Sequence, residues 1–260
     1  MSGGLELRRE GAVAHLRLNR PEALNALDLD LAQALLAACR ALQQDRGVRA
    51  VLLDGAGRAF AAGGDLAQMR AGPLRVAEAL ITPLHEALGI LAGLDAPVVA
   101  ALHGAVAGAG LSLAAAADLA IAAEGTRFNL AYVNVGTSCD LGSTWSLPRL
   151  VGLRRALEIA LLGESFDAAR ALQIGLVNRV VPPEQLQDEA MALARRLARG
   201  PTLALGKMKR LMRGSFEQSF PQQLDAERAA FLGCAATPDF AEGLAAFVDK
   251  RPAAFTGRAA

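Results

Sequence analysis

With 260 residues, 53% of them hydrophobic and 20% charged, the chain carries enough apolar material for one large core or one core with an appendage. A formal net charge of +1, without a long run of either sign, excludes the electrostatic field that nucleic acid would need, so nucleic acid is not an expected partner. Cys39, Cys139 and Cys234 are far apart and odd in number, and His15, His85 and His103 are not gathered, so neither disulfides nor a metal site is expected.

The N-terminal residues show no signal-peptide core, and the expected compartment is the cytoplasm. Leu5 to Arg9 and Val13 to Leu18 alternate apolar with polar residues around Gly11, which predicts a strand pair joined by a turn. Asn19 to Leu27 is irregular, Pro21 ending the strand. Asp28 can then cap a helix from Leu29 to Gln44, with Leu31, Leu35, Leu36, Cys39 and Leu42 on its apolar face. A short buried strand at Ala50 to Leu53 leads into D-G-A-G-R-A-F-A-A-G-G-D, a glycine-rich turn that ends at Asp65 and passes into helical residues from Leu66. Helical periodicity resumes from Leu74 to Leu94, and Pro97 to Leu102 reads as a strand.

Next comes Gly104 to Asp118, G-A-V-A-G-A-G-L-S-L-A-A-A-A-D, glycine-rich in its first half and helix-favouring in its second. A tight turn feeding a helix N-terminus exposes N–H groups without intrahelical partners, with Ala109 and Gly110 at its head. Such a place suits an anion or an oxygen that becomes one during a reaction. Close packing of helix on sheet would use the same residues. Leu113 stands where a dinucleotide fingerprint needs its third glycine, which speaks against that motif. No charged residue falls between Asp95 and Asp118, a stretch long enough to span a bilayer, but Pro97, His103 and three glycines predict a buried strand and helix rather than a membrane span.

Leu119 to Ala122 and Val177 to Val181 read as further strands. The rest, from about Arg154, reads as helices punctuated by Gly163, Pro182, Gly200, Gly214 and Pro238. Lys207, Lys209, Arg210 and Arg213 read as a solvated helix face that could touch phosphates. Strand segments alternating with turns and helices place the chain in the α/β class, with an all-helical last quarter.

Four motifs carry a family resemblance: N-R-P-E-A-L-N-A-L at Asn19 to Leu27, A-F-A-A-G-G-D-L at Ala59 to Leu66, H-G-A-V-A-G-A-G at His103 to Gly110, and V-D-K-R-P-A-A-F at Val248 to Phe255. In this order they resemble the crotonase superfamily, the enoyl-CoA hydratase/isomerase family. The resemblance implies a ββα spiral over residues 1–200 that binds an acyl-CoA, then a helical oligomerisation region over 201–260 that assembles trimers or dimers of trimers. It implies no cofactor beyond the coenzyme A of the thioester substrate. The N–H groups of Gly64 and Ala109 would form an oxyanion hole, Ala23, Leu24, Ala62, Asp65 and Leu66 would hold the CoA nucleotide, and Lys250 and Phe255 would reach a CoA in a neighbouring subunit.

Hydratases of the family carry one glutamate just past the second turn and another about twenty residues later, because adding water takes one group to activate it and one to protonate carbon. Here Ser112 and Tyr132 occupy those places, and neither is a good base at neutral pH. Ser112 reads as a small helix residue bonding back to the preceding turn, and Tyr132 as a pocket wall whose hydroxyl could orient substrate. Asp140, in G-T-S-C-D-L-G-S-T-W-S-L-P-R-L, stands where Δ3,Δ2-enoyl-CoA isomerases carry their acidic residue, and the pattern around it is similar to the phenylacetate-pathway ring-epoxide isomerases. The plain alternative for Asp140 is an N-cap for a helix starting near Leu141. The expected activity is an acyl-CoA isomerisation with Asp140 as the single proton shuttle. A weak hydratase and a non-catalytic acyl-CoA binder are the other expectations.

Overall fold

The computed structural model describes residues 4–257. An antiparallel hairpin, β1 (Leu5–Glu10) and β2 (Val13–Leu18), leads through a 3-10 turn at Pro21–Ala23 to α1 (Leu29–Gln44) and β3 (Ala50–Gly55). Then come α2 (Leu66–Arg70), α3 (Pro73–Gly93), β4 (Val98–Leu102), β5 (Ala105–Ala107), α4 (Ala109–Ala116), β6 (Leu119–Ala123) and β7 (Arg127–Asn129). A 3-10 turn at Tyr132–Val135 precedes α5 (Ser143–Val151), α6 (Leu153–Leu162), β8 (Phe166–Asp167), α7 (Ala168–Gln173), β9 (Arg179–Val181) and α8 (Leu186–Ala198). The chain closes with α9 (Thr202–Gly214), α10 (Phe220–Ala235) and α11 (Pro238–Val248).

The main sheet runs β1-β2-β3-β4-β6-β9, with all neighbours parallel after the opening hairpin. Side chains alternate along each strand, and both faces are covered. Ala14, Leu16, Leu18, Val51, Leu53, Val98, Ala100 and Leu102 point into the core shared with α1 and α3. Val13, Ala50, Leu52, Val99, Ala101 and Ile121 point the other way, onto Leu186, Ala190, Ala194 and Ala198 of α8. Double coverage explains why β3 reads as an unbroken apolar run rather than an alternating one. Each fully buried leucine here is worth roughly 2 kcal/mol relative to exposure. Asp28 caps α1 as its sequence predicts, accepting from the Leu31 N–H at 2.8 Å. Helix α3 has the length and apolar composition to cross a membrane, but it packs along α1 and buries Val76, Leu80, Leu84, Ala87 and Leu91. The uncharged stretch between Asp95 and Asp118 becomes β4, β5 and α4 of the interior.

The α/β expectation holds, with three differences. A second sheet, β5-β7-β8, stands where the sequence suggested only turns and helix, because its strands are two or three residues long and carry no period. Helix α5 begins at Ser143 with Gly142 as its N-cap, so Asp140 does not cap it. Of the four cations expected on a solvated face of α9, Lys209 and Arg213 are turned inward, while Arg210 stays exposed beside its partner. The Lys209 ammonium, 9% exposed, bonds Asp118 at 2.9 Å and the carbonyls of Leu91 and Ala96, Arg213 bonds Asp118 at 2.8 Å, and Arg210 pairs with Asp95 at 2.7 Å. Burial pulls the Lys209 pKa below its ordinary value, against the Asp118 charge that supports it. Lys209 and Arg213 hold α9 against the core through Asp118 and are not free for phosphates. Helix α10, by contrast, buries none of its residues and leaves Phe220, Leu224, Phe231 and Leu232 exposed.

Candidate active site

The two glycine-rich turns lie against each other. In the first, the Leu27 N–H donates to Gly63 O at 2.7 Å and the Asp65 N–H donates to Leu27 O at 2.9 Å, which leaves the intervening Gly64 N–H facing away from Leu27. In the second, β5 runs beside Ala61 and ends at Gly108, whose φ of 50° turns the chain into α4. A methyl group on Gly63 would sit 3.3 Å from Ala107 O and 3.7 Å from Ala109 N, and one on Gly110 would strike Ala61 O at 2.2 Å. Glycine at these places is therefore what lets the turns meet. Ala109 is the first residue of α4, so its N–H has no helical partner. Among the described residues, neither the Gly64 N–H nor the Ala109 N–H has an acceptor. Two unspent backbone donors on touching turns, one of them at a helix N-terminus, suit an oxygen that gains negative charge. The Met69 side chain lies beside Gly64, with Leu80 farther out, so α2 and α3 wall this place on the apolar side.

The residues expected at a CoA nucleotide gather at the first turn. Leu24 O accepts from the Ala62 N–H at 3.0 Å, and Leu24 and Asn25 both adopt left-handed backbone, with φ of 52° and 56°. That conformation is held by the fully buried Asn25 amide, which donates to Ala56 O and Ala59 O. Ala23 belongs to the same 3-10 turn, and Leu66 is exposed at 56% just beyond it. Asp65 is occupied: it accepts from the Gln68 N–H as the cap of α2 and pairs with Arg20, which also holds Asp28. The Gln68 bond first, then Arg20, holds its carboxyl below the usual range. Lys250 and Phe255 are elsewhere. Phe255 packs near Gly243 of α11 and gives its carbonyl to Arg49, and Lys250 is exposed in left-handed backbone, so neither contacts the two turns in this chain.

On the acid side the structure shows contacts that sequence reasoning did not find. The Tyr132 hydroxyl donates to Asp140 Oδ1, and it lies 3.1 Å from Ser112 Oγ. Ser112, fully buried on α4, also bonds back to Gly108 O at 3.4 Å, as its residue type suggested. Tyr132 is therefore turned toward Asp140 and not simply a wall. Burial first, then the Asp140 charge, pushes its pKa well above the ordinary phenol value, so it stays a protonated donor. Burial likewise raises the Cys139 thiol. The Asp140 carboxylate is thus tethered through Tyr132 and Ser112 to the first turn of α4, which carries Ala109. No spacing rule could have joined Ser112, Tyr132 and Asp140, since they sit on a helix, a 3-10 turn and a loop.

The family model described as enoyl-CoA hydratase/isomerase matches residues 8–258 of the chain. The 1,2-epoxyphenylacetyl-CoA isomerase of Escherichia coli is 38% identical over 256 residues, covering 96% of this chain and 97% of that protein. A protein of Rhodobacter capsulatus named as a probable enoyl-CoA hydratase is 39% identical over 247 residues, covering 95% of each. The crystal structure of an enoyl-CoA hydratase from Polaromonas superposes with a TM-score of 0.91 at 34% identity, over 96% of this chain and 99% of that one.

Proposed function

Because the chain belongs to the enoyl-CoA hydratase/isomerase family, with the crotonase fold, we propose that it is an acyl-CoA isomerase that moves a double bond, or rearranges an epoxide, in a CoA thioester with a single carboxylate. The observation that carries this reading is Asp140, tethered to the helix whose first N–H is one of two free donors, while Ser112 and Tyr132 fill the places where hydratases of the family carry glutamates. The thioester oxygen accepts from the Gly64 and Ala109 N–H groups, which raises the acidity of C2. Asp140 takes the C2 proton, the electron pair passes to the thioester oxygen as an enolate, and the same carboxylate returns the proton at C4. Each backbone donor contributes about 3 kcal/mol to such a transition state. Hydration needs a second group that handles protons, and Tyr132 is held in its neutral form.

Ala23, Leu24, Ala62, Asp65 and Leu66 frame the first turn, where the CoA nucleotide is placed in this reading, and no cofactor beyond that CoA is needed. Lys250 and Phe255, remote from the turns of their own chain, are assigned to a neighbour's CoA in a homotrimer or a dimer of trimers. The uncovered apolar residues of α10 support such an assembly. The test is Asp140→Asn assayed with trans-3-hexenoyl-CoA. Turnover falls by roughly a hundredfold or more while the protein still retains acyl-CoA; undiminished turnover removes the reading.

A further inference from the structure

We infer that Tyr132 is a positioning residue for Asp140, with Ser112 behind it, and that the chain Ser112 to Tyr132 to Asp140 occupies Oδ1 so that Oδ2 alone handles the substrate proton. This rests on the reading of Asp140 as the proton shuttle.

Donor counting fixes the direction of the chain. A phenol has one hydrogen, and Tyr132 gives it to Asp140 Oδ1, so the 3.1 Å contact with Ser112 has the serine hydroxyl as donor. The serine hydrogen is shared between the phenol oxygen and Gly108 O at 3.4 Å, which also takes the Ser112 backbone N–H at 3.1 Å, and the contact with the phenol is the shorter. Ser112 is fully buried and Tyr132 half-buried, which strengthens these bonds against competition from water. Asp140 Oδ2 has no partner among the described residues.

The backbone is shaped around the same pair. Ala131, just before Tyr132, and Leu141, just after Asp140, are both non-glycine residues in left-handed conformation, with φ of 47° and 50°. Each costs on the order of 1 kcal/mol, and such strain persists only where surrounding contacts over-determine it. Leu141 is anchored by burial at 1% exposure, and the Ser143 hydroxyl donates to the Asp140 carbonyl at 3.0 Å. The loop thus turns Tyr132 and Asp140 onto each other from both ends. In the reaction, the bond from C2 to hydrogen breaks, the proton goes to Oδ2, and its electron pair goes to the thioester oxygen. With Oδ1 held by the phenol, the carboxylate does not rotate to exchange its oxygens, and Oδ2 returns the proton to C4 on the same face.

The experiment follows kcat and KM with trans-3-hexenoyl-CoA for wild type, Tyr132→Phe, Ser112→Ala, the double variant and Asp140→Asn. In Tyr132→Phe, kcat falls roughly tenfold with KM little changed. Ser112→Ala lowers kcat by less, and the double variant is no worse than Tyr132→Phe alone, since the serine acts through the phenol. An undiminished kcat in Tyr132→Phe, or in Ser112→Ala should the tyrosine variant not fold, together with an inactive Asp140→Asn, overturns this inference alone. Full turnover by Asp140→Asn overturns both it and the proposed function.

Discussion

The two sides of the site are built from different materials. The donor side is backbone: two N–H groups held on turns that touch through glycine and are tied down by parallel bridges from Leu27 to Gly64 and from Ala61 to Val106. The acid side is made of side chains, with Asp140, Tyr132 and Ser112 drawn together by hydrogen bonds across a loop that is strained at both ends. A backbone donor tolerates many side chains at its own position as long as the turn keeps its shape. A side-chain acid depends on the identity of every residue that aims it. On the proposed reading, relatives can therefore keep one donor side and change the acid side, and with it the reaction.

That contrast can be broken most severely at Ala109. It is the first residue of α4, where proline is tolerated, so Ala109→Pro removes the N–H while leaving the helix largely intact. The expected loss is about 3 kcal/mol of transition-state stabilisation, more than a hundredfold in kcat, against near-unchanged melting by calorimetry. Ala109→Ser, which keeps the N–H, should retain most of the activity.

A smaller effect is expected where glycine lets the turns meet. In Gly110→Ala the new methyl group meets the Ala61 backbone, which cannot swing aside as a side-chain end would, and about 1–3 kcal/mol of stability is lost in urea unfolding. The smallest effect belongs to Asp65. Its Ala variant loses the α2 cap, about 1 kcal/mol near neutral pH. Because folding depresses the Asp65 pKa, its contribution is fully present above the unfolded-state value and disappears as pH falls through the folded one. Wild type and Asp65→Ala should therefore converge in stability on acidification. A gap that persists at low pH would contradict the assigned cause.

The donor side was legible in the sequence because glycine marks it: Gly63, Gly108 and Gly110 announce backbone that side chains cannot occupy. The main sheet and α1 were legible through period and through the Asp28 cap. The acid side was not. Asp140 drew attention only through resemblance, and its residue type equally suited a cap that Gly142 in fact supplies. Ala131 and Leu141 give no hint of left-handed backbone, and the two partners of the key hydrogen bond stand eight positions apart, along a 3-10 turn and a loop. Lys209 and Arg213 misled for a related reason: a helical run of cations looks solvated until Asp118, far away in sequence, is placed beneath it.

Helix α10 keeps no residue of its own out of water, yet it carries several large apolar side chains. Within this chain it packs along α9 and against Phe240 of α11, which leaves those apolar side chains uncovered. In the proposed assembly a neighbouring subunit covers it, so dilution would act on this helix as a denaturant: its melting temperature should climb with protein concentration, whereas the sheet behind it should melt at a temperature indifferent to how crowded the solution is.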